Sequence, residues 1–150
     1  MTAQRRPWLH VIAGCMSSGK TAEVVRLLTR RQIAAEVAAV LTEVARHDPD
    51  AVAIEEAQFF GPDLPVAIEA MVAAPRTVIV SGLDQDFAGR PFATIPELLA
   101  RADEVTKLSA ICVVCGSEAT RTQRLRNGVP ARADDELIVI GGMAGDETYE

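Results

Sequence analysis

Aromatic residues are scarce: one Trp, one Tyr and four Phe, 4% of 150 residues. The interior must therefore be packed with aliphatic side chains, and 49% hydrophobic content supplies them. Cysteine is scarce too, with three residues. That number is too low for the disulfide frameworks that staple small secreted domains. Clustered Lys and Arg are missing, and the formal net charge is −6. A nucleic-acid surface needs dense cations against phosphates, so no nucleic-acid partner is expected. No apolar run is long enough to span a bilayer, so no membrane partner is expected either. Arg5 and Arg6 are followed by no apolar stretch adequate for an export signal, and the cytoplasm is the expected compartment. A chain of this length suits a single folded unit with a real core.

What is present begins with Gly14-Cys15-Met16-Ser17-Ser18-Gly19-Lys20-Thr21, which fits G-x-x-x-x-G-K-[ST] at every fixed position. An apolar run, Leu9–Ala13, precedes it and a helical pattern follows from Thr21. In that context the glycines let backbone N–H groups turn inward around phosphate oxygens. The helix start adds its positive dipole end. Lys20 would reach the outer phosphates, and the Thr21 hydroxyl would hold Mg²⁺. The competing reading, a glycine-rich turn with an incidental lysine, ignores the strand before and the helix after.

Strand-like runs are Leu9–Ala13, Ala51–Ile54, Thr77–Leu83, Val105–Leu108 and Leu137–Ile140. They are aliphatic and do not alternate, as in parallel strands buried on both faces. Helical patterns cover Thr21–Arg46 and Leu64–Ala74, the second stopped by Pro75, and Pro96 opens a short third helix through Ala102. The alternation predicts an α/β fold: a phosphate-loop core with a mainly parallel sheet. After Leu108 the texture turns to cysteines, turns and polar residues. The expected division is a nucleotide-binding core over 1–108 and a small lobe over 109–150. Thr21–Arg46 is anomalous. As one helix its 26 residues would measure about 39 Å, too long for a crossover on a compact sheet.

A second chemical cluster is Val52-Ala53-Ile54-Glu55-Glu56-Ala57-Gln58-Phe59-Phe60. In phosphate-loop proteins an acid at the end of a neighbouring strand holds Mg²⁺, usually through water. Strand alternation would point Glu55 and Glu56 to opposite sides, so one could serve the metal and the other a substrate hydroxyl. The plainer reading is a solvated loop with two acids.

Glu55-Glu56-Ala57-Gln58-Phe59-Phe60 resembles the D-E-[AG]-Q-F-F signature of type II thymidine kinases, and Gly14–Thr21 is similar to that family's G-P-M-F-S-G-K-[ST]. Gly82-Leu83-Asp84-Gln85-Asp86-Phe87, with Gly89 and Pro91-Phe92, resembles G-L-D-x-x-F-x-x-x-P-F. Ala102–Leu108 followed by Cys112-Val113-Val114-Cys115-Gly116 resembles A-D-x-V-x-K-L-x-A-x-C-x-x-C. Thr122-Gln123-Arg124-Leu125 and Gly141-Gly142 through Tyr149-Glu150 match the segment that wraps the nucleoside.

The resemblance implies transfer of the ATP γ-phosphoryl group to the 5′-hydroxyl of thymidine, with deoxyuridine the nearest alternative acceptor. It implies Glu56 as the base on that hydroxyl. Gly14, Cys15, Met16, Ser17, Ser18, Gly19, Lys20, Thr21, Glu55 and Gln58 would bind ATP, with Thr21 and Glu55 on Mg²⁺. Met16, Phe59, Leu83, Phe87, Thr122, Val139 and Tyr149 align with positions around the thymine and sugar, although core packing competes for the apolar ones. The lobe would be a zinc-ribbon-like lasso closing over the nucleoside. Assembly as a homotetramer or homodimer and feedback by thymidine triphosphate are implied by the family alone.

The chain also departs from the pattern. Glu55 replaces an aspartate, and Cys15 and Ser17 replace a proline and a phenylalanine. A helix N-terminus could acidify the Cys15 thiol, but a small spacer is the simpler reading. The family's strand and acid–arginine segment (K-P-x-x-D-x-R-Y) between the first helix and the paired acids has no counterpart, which explains the overlong helical pattern. Cys112 and Cys115 have the spacing of half a structural Zn²⁺ site, which needs four ligands. Relatives carry the other pair just after the tyrosine matching Tyr149, where this sequence stops. Two accounts stay open: segments of a longer protein are omitted, or the chain is a shortened relative. The second allows an alternative function, a nucleotide-binding regulator with little turnover. A phosphate-loop ATPase acting on a macromolecule fits less well, because Phe59-Phe60 and Cys112–Tyr149 suit a small-molecule pocket.

Overall fold

A computed structural model describes residues 7–21, 37–135 and 147–149. Four strands, β1 (Trp8–Gly14), β2 (Ala51–Ile54), β3 (Thr77–Gly82) and β4 (Glu104–Leu108), form one parallel sheet in the order β2-β3-β1-β4. The expected α/β architecture with a mainly parallel sheet is the one observed. The four aliphatic runs lie within a residue or so of the strands they predict; the central strands β1 and β3 are buried on both faces as such runs require, whereas the edge strands β2 and β4 are partly exposed. The run Leu137–Ile140 and most of the overlong helical pattern lie outside the described residues.

Helices α1 (Val37–His47), α2 (Leu64–Ala73) and α3 (Ile95–Arg101) pack against one face. In α1, Val37, Val40 and Val44 make the buried stripe, at the spacing of one helical face. Arg46 and His47 in its last turn complement the negative dipole end. Pro65 and Pro96 stand in the first turns of α2 and α3, where a missing N–H costs nothing. Leu9, Val11, Val52, Ile54, Val78 and Val80 meet Leu64, Ile68, Met71, Ile95 and Leu98 in the main core. Ile12 and Ile79 form a smaller cluster.

The register fixes what stands beside the first loop. Ala13 is paired with Gly82 on β3 and with Lys107 on β4. The strand ends therefore converge at residues 14, 55, 83 and 108. Beyond Leu108 the strands are short. β5 (Ala110–Ile111) pairs with β6 (Glu118–Ala119), and β7 (Arg124–Arg126) lies between β8 (Val129–Pro130) and β9 (Glu147–Tyr149). No helix among the described residues is long and apolar enough to cross a membrane.

Candidate active site

Gly14 ends β1, and the chain curls through Cys15–Gly19 before turning helical at Lys20. A Cβ at Gly14 would meet the Leu108 carbonyl oxygen and the Ser18 hydroxyl, so only glycine lets the loop leave the sheet here. The Ser18 Oγ is buried with no hydrogen-bond partner among the described residues. Thr21 is exposed.

Lys20 corrects a simple expectation. A phosphate-loop lysine should face solvent, yet Lys20 is 8% exposed and its Nζ donates to the Cys15 carbonyl at 2.7 Å. The ammonium closes the loop on itself, because a cation this deep needs a partner. Burial pushes the Lys20 pKa below its ordinary value, and the charges of Glu56, Cys15 and Asp84 oppose that fall. Two acids thus stand within electrostatic reach of Lys20.

The loop is also tied to the C-terminal residues. The buried Cys15 thiol donates to the Ala119 carbonyl at 3.2 Å, and the Met16 N–H donates to the Thr122 Oγ1 at 2.9 Å. Cys15 therefore does more than fill space in the loop: its side chain ties the loop to residue 119.

Glu56 has φ 53° and ψ 40°, a left-handed backbone that a glutamate rarely adopts. Its direction therefore comes from a turn and not from strand alternation, since β2 stops at Ile54. A 3₁₀ turn, Ala57–Phe59, follows at once. The exposed Glu56 carboxylate accepts from Gln58 Nε2 at 2.6 Å, and Gln58 Oε1 accepts from the Leu83 N–H at 3.0 Å. A carboxylate can only accept and a backbone N–H can only donate, so the amide has one sensible orientation. Gln58 itself is 2% exposed. Glu55 is half-buried, and its Oε1 is buried with no hydrogen-bond partner among the described residues. Backbone strain at a site that also carries a fixed carboxylate is a mark of function.

The segment after β3 builds an apolar floor. Asp86 organises it by accepting from the Ala88 and Arg90 N–H groups at 2.8 and 2.9 Å. Phe92 meets the exposed Phe59 edge-on, ring centroids 6.3 Å apart. The buried Arg124 places its guanidinium 5.2 Å from the Phe87 ring centroid. Leu83 is half-buried. Thr122 lies against the loop as described, and Tyr149 pairs through its backbone with Arg124. Val139 lies outside the described residues.

Sequence reasoning passed over Asp84, Lys107, Phe92 and Arg124. Asp84 is an acid just past the end of a strand, the same signal that drew attention to Glu55. Lys107 Nζ meets the buried Asp84 Oδ2 at 2.8 Å.

Cys112 and Cys115 sit in the loop joining β5 to β6. The Cys112 N–H donates to the Ser117 carbonyl at 2.8 Å, and the Gly116 N–H to the Cys112 carbonyl at 2.9 Å. Hydrogen bonding from Ser117, first through its backbone N–H, and from Cys112 lowers the Cys115 pKa. Among the described residues no third His, Cys, Asp or Glu joins the pair, so they supply half the donors a closed Zn²⁺ site requires. Mg²⁺ is a different case. It keeps several waters and needs only one or two carboxylates beside a triphosphate's own oxygens. The open carboxylate oxygens of Glu55 and Asp84 and the Thr21 hydroxyl are hard donors that fit it.

The family model described as thymidine kinase matches residues 31–150. A thymidine kinase of Coprothermobacter proteolyticus is 47% identical across 95% of this chain and 86% of its own length. One of Deinococcus radiodurans is 42% identical across 95% of this chain and 85% of its own length. The first alignment runs over 174 positions, so at least 24 of them face gaps in a chain of 150 residues. An internal shortening is what the overlong helical pattern had implied.

Proposed function

This chain belongs to the thymidine kinase family, and on that premise we propose that it transfers the γ-phosphoryl group of ATP to the 5′-hydroxyl of thymidine. One observation carries the assignment of roles: the Glu56 carboxylate, fixed by Gln58, shares its electrostatic surroundings with Lys20 at the mouth of the phosphate loop.

N–H groups of the loop Gly14–Thr21 other than that of Met16, which is held by Thr122, hold the donor's phosphates. On binding, the Lys20 ammonium exchanges the Cys15 carbonyl for phosphate oxygens, a trade of one acceptor for a charged one. Thr21 and Glu55 hold Mg²⁺, which when bound neutralises charge on the outer phosphates. Glu56 takes the proton of the acceptor hydroxyl as the phosphoryl group transfers, so its basicity is needed late. Lys20 stabilises the charge on the transferring group. Gln58 is counted with the ATP-binding residues by resemblance, yet both ends of its amide already bond within the protein. Its role is to aim Glu56.

Met16, Phe59, Leu83 and Phe87 are read as the apolar contacts of a pyrimidine, with Phe59 braced edge-on by Phe92, and Thr122 is held at the loop by the Met16 N–H. Residues 109–150 are read as the flap that closes over the nucleoside, with Val139 and Tyr149 among its contacts. A cytoplasmic homo-oligomer, feedback by thymidine triphosphate and a Zn²⁺ site completed by ligands beyond the Cys112–Cys115 pair are extensions of the family reading. The regulatory alternative gains nothing here, since both relatives are named for the kinase.

The test is ADP formation with and without thymidine. The reading predicts turnover that requires thymidine and yields thymidine 5′-monophosphate. ADP released at the same rate without thymidine would overturn it.

A further inference from the structure

Asp84 is a deeply buried acid whose charge acts on Lys20. Its side chain is 5% exposed. One carboxylate oxygen, Oδ2, is held by Lys107 Nζ at 2.8 Å. The other, Oδ1, is buried and has no hydrogen-bond partner among the described residues. An open buried carboxylate oxygen is costly unless something meets it.

The topology says what it faces. β3 lies between β1 and β2, so the residues after Gly82 stand directly beside the strand that launches the loop. Lys107 is in register with Ala13 on the other side of β1. The Lys107–Asp84 pair therefore bridges across the end of β1, at the base of Gly14–Thr21. The Asp84 charge acts on Lys20 from the same place. The carbonyl of Asp84 accepts from the Phe92 N–H at 3.1 Å, and the preceding N–H of Leu83 is held by Gln58, so the backbone on both sides is fixed. A rigid acid with one oxygen saturated and one open suits a donor water better than a mobile side chain does.

We propose that Asp84 is an outer-sphere carboxylate of the metal–triphosphate site, with Oδ1 accepting from a water of the Mg²⁺ hydration shell while Lys107 holds Oδ2. This rests on the reading of Gly14–Thr21 as the ATP site. It gives that site a second acid besides Glu55, on the strand nearer the loop. Hydrated Mg²⁺ is the natural occupant, because it surrenders its waters reluctantly and is often held through them. Lys107 is then a positioning residue, orienting the acid as partners of metal-bound groups commonly do.

The experiment is calorimetric titration of ATP into the intact protein, in Mg²⁺ and in EDTA, for wild type and Asp84→Asn. Wild type should bind ATP more tightly with Mg²⁺. The variant should lose about tenfold of that Mg²⁺-dependent gain, the lower end for outer-shell partners of a metal. Its affinity in EDTA should be unchanged or higher, because a negative charge beside the triphosphate has gone. If the substitution strands Lys107 and prevents folding, the double variant Asp84→Asn with Lys107→Met removes both charges and takes the same test. Equal losses in Mg²⁺ and EDTA, or a full Mg²⁺ gain in the variant, would overturn the proposal. Wild type that binds no ATP at all would instead overturn the reading of the loop.

Discussion

Two residues, Glu56 and Lys20, carry most of the proposed chemistry, the first in a left-handed backbone and the second with its ammonium buried against the Cys15 carbonyl. Glu56 sits in the left-handed region, which costs about 1–3 kcal/mol for such a residue and persists because Gln58 and the following 3₁₀ turn over-determine it. Replacing Gln58 with Leu frees the carboxylate and leaves the Leu83 N–H unsatisfied. The expected results are a stability loss of about 1–3 kcal/mol by urea unfolding and a fall in kcat larger than any rise in the KM for ATP. An unchanged kcat would show that Glu56 needs no aiming. Lys20 gives a pH signature. Its folded-state pKa lies below its unfolded value, so between the two the unfolded chain binds the extra proton and stability rises with pH. Wild type minus Lys20→Met, followed by urea unfolding from neutral pH toward 10.5, should show that rise. A flat difference would contradict a buried ammonium.

At the scale of elements, the sheet was legible because its strands are short aliphatic runs, clearest in the central strands β1 and β3, which are covered on both faces. Pro75 and Pro96 marked helix limits for the simple reason that proline has no N–H to give. The loop Gly14–Thr21 was picked out by its spacing alone. What the sequence could not display was which distant residues meet. Cys15 bonds to Ala119, Met16 to Thr122, and Asp84 to Lys107, all long-range meetings, and the last depends on the strand order β2-β3-β1-β4. Glu56 was found as a type of residue but not as a left-handed one, since glutamate gives no local sign of φ above zero. Gly14 is an element-scale hinge. An added methyl would press on the Leu108 carbonyl, and a strand backbone cannot easily give way. Gly14→Ala should cost about 1–3 kcal/mol of stability and weaken ATP binding by calorimetry. Wild-type stability and affinity together would show that the loop and β4 are not in contact.

Taken whole, the molecule brings the loop Gly14–Thr21 and the segment Leu83–Phe92 together past the carboxyl ends of the central strands. Ala119 and Thr122 touch the loop directly, so any movement of their segment is felt at Cys15 and Met16. A gap in the alignment with relatives has not removed this arrangement: the loop, the paired acids and the Leu83–Phe92 segment are all in place. The central claim is that Glu56 takes the acceptor's proton while Lys20 and the loop hold the donor. Single-turnover phosphorylation of thymidine by wild type and Glu56→Gln tests it most directly, with ATP and thymidine affinities measured alongside. The account predicts both ligands bound within about threefold of wild type and a transfer rate lower by about 10²–10⁴. Transfer at the wild-type rate by the glutamine variant would contradict it.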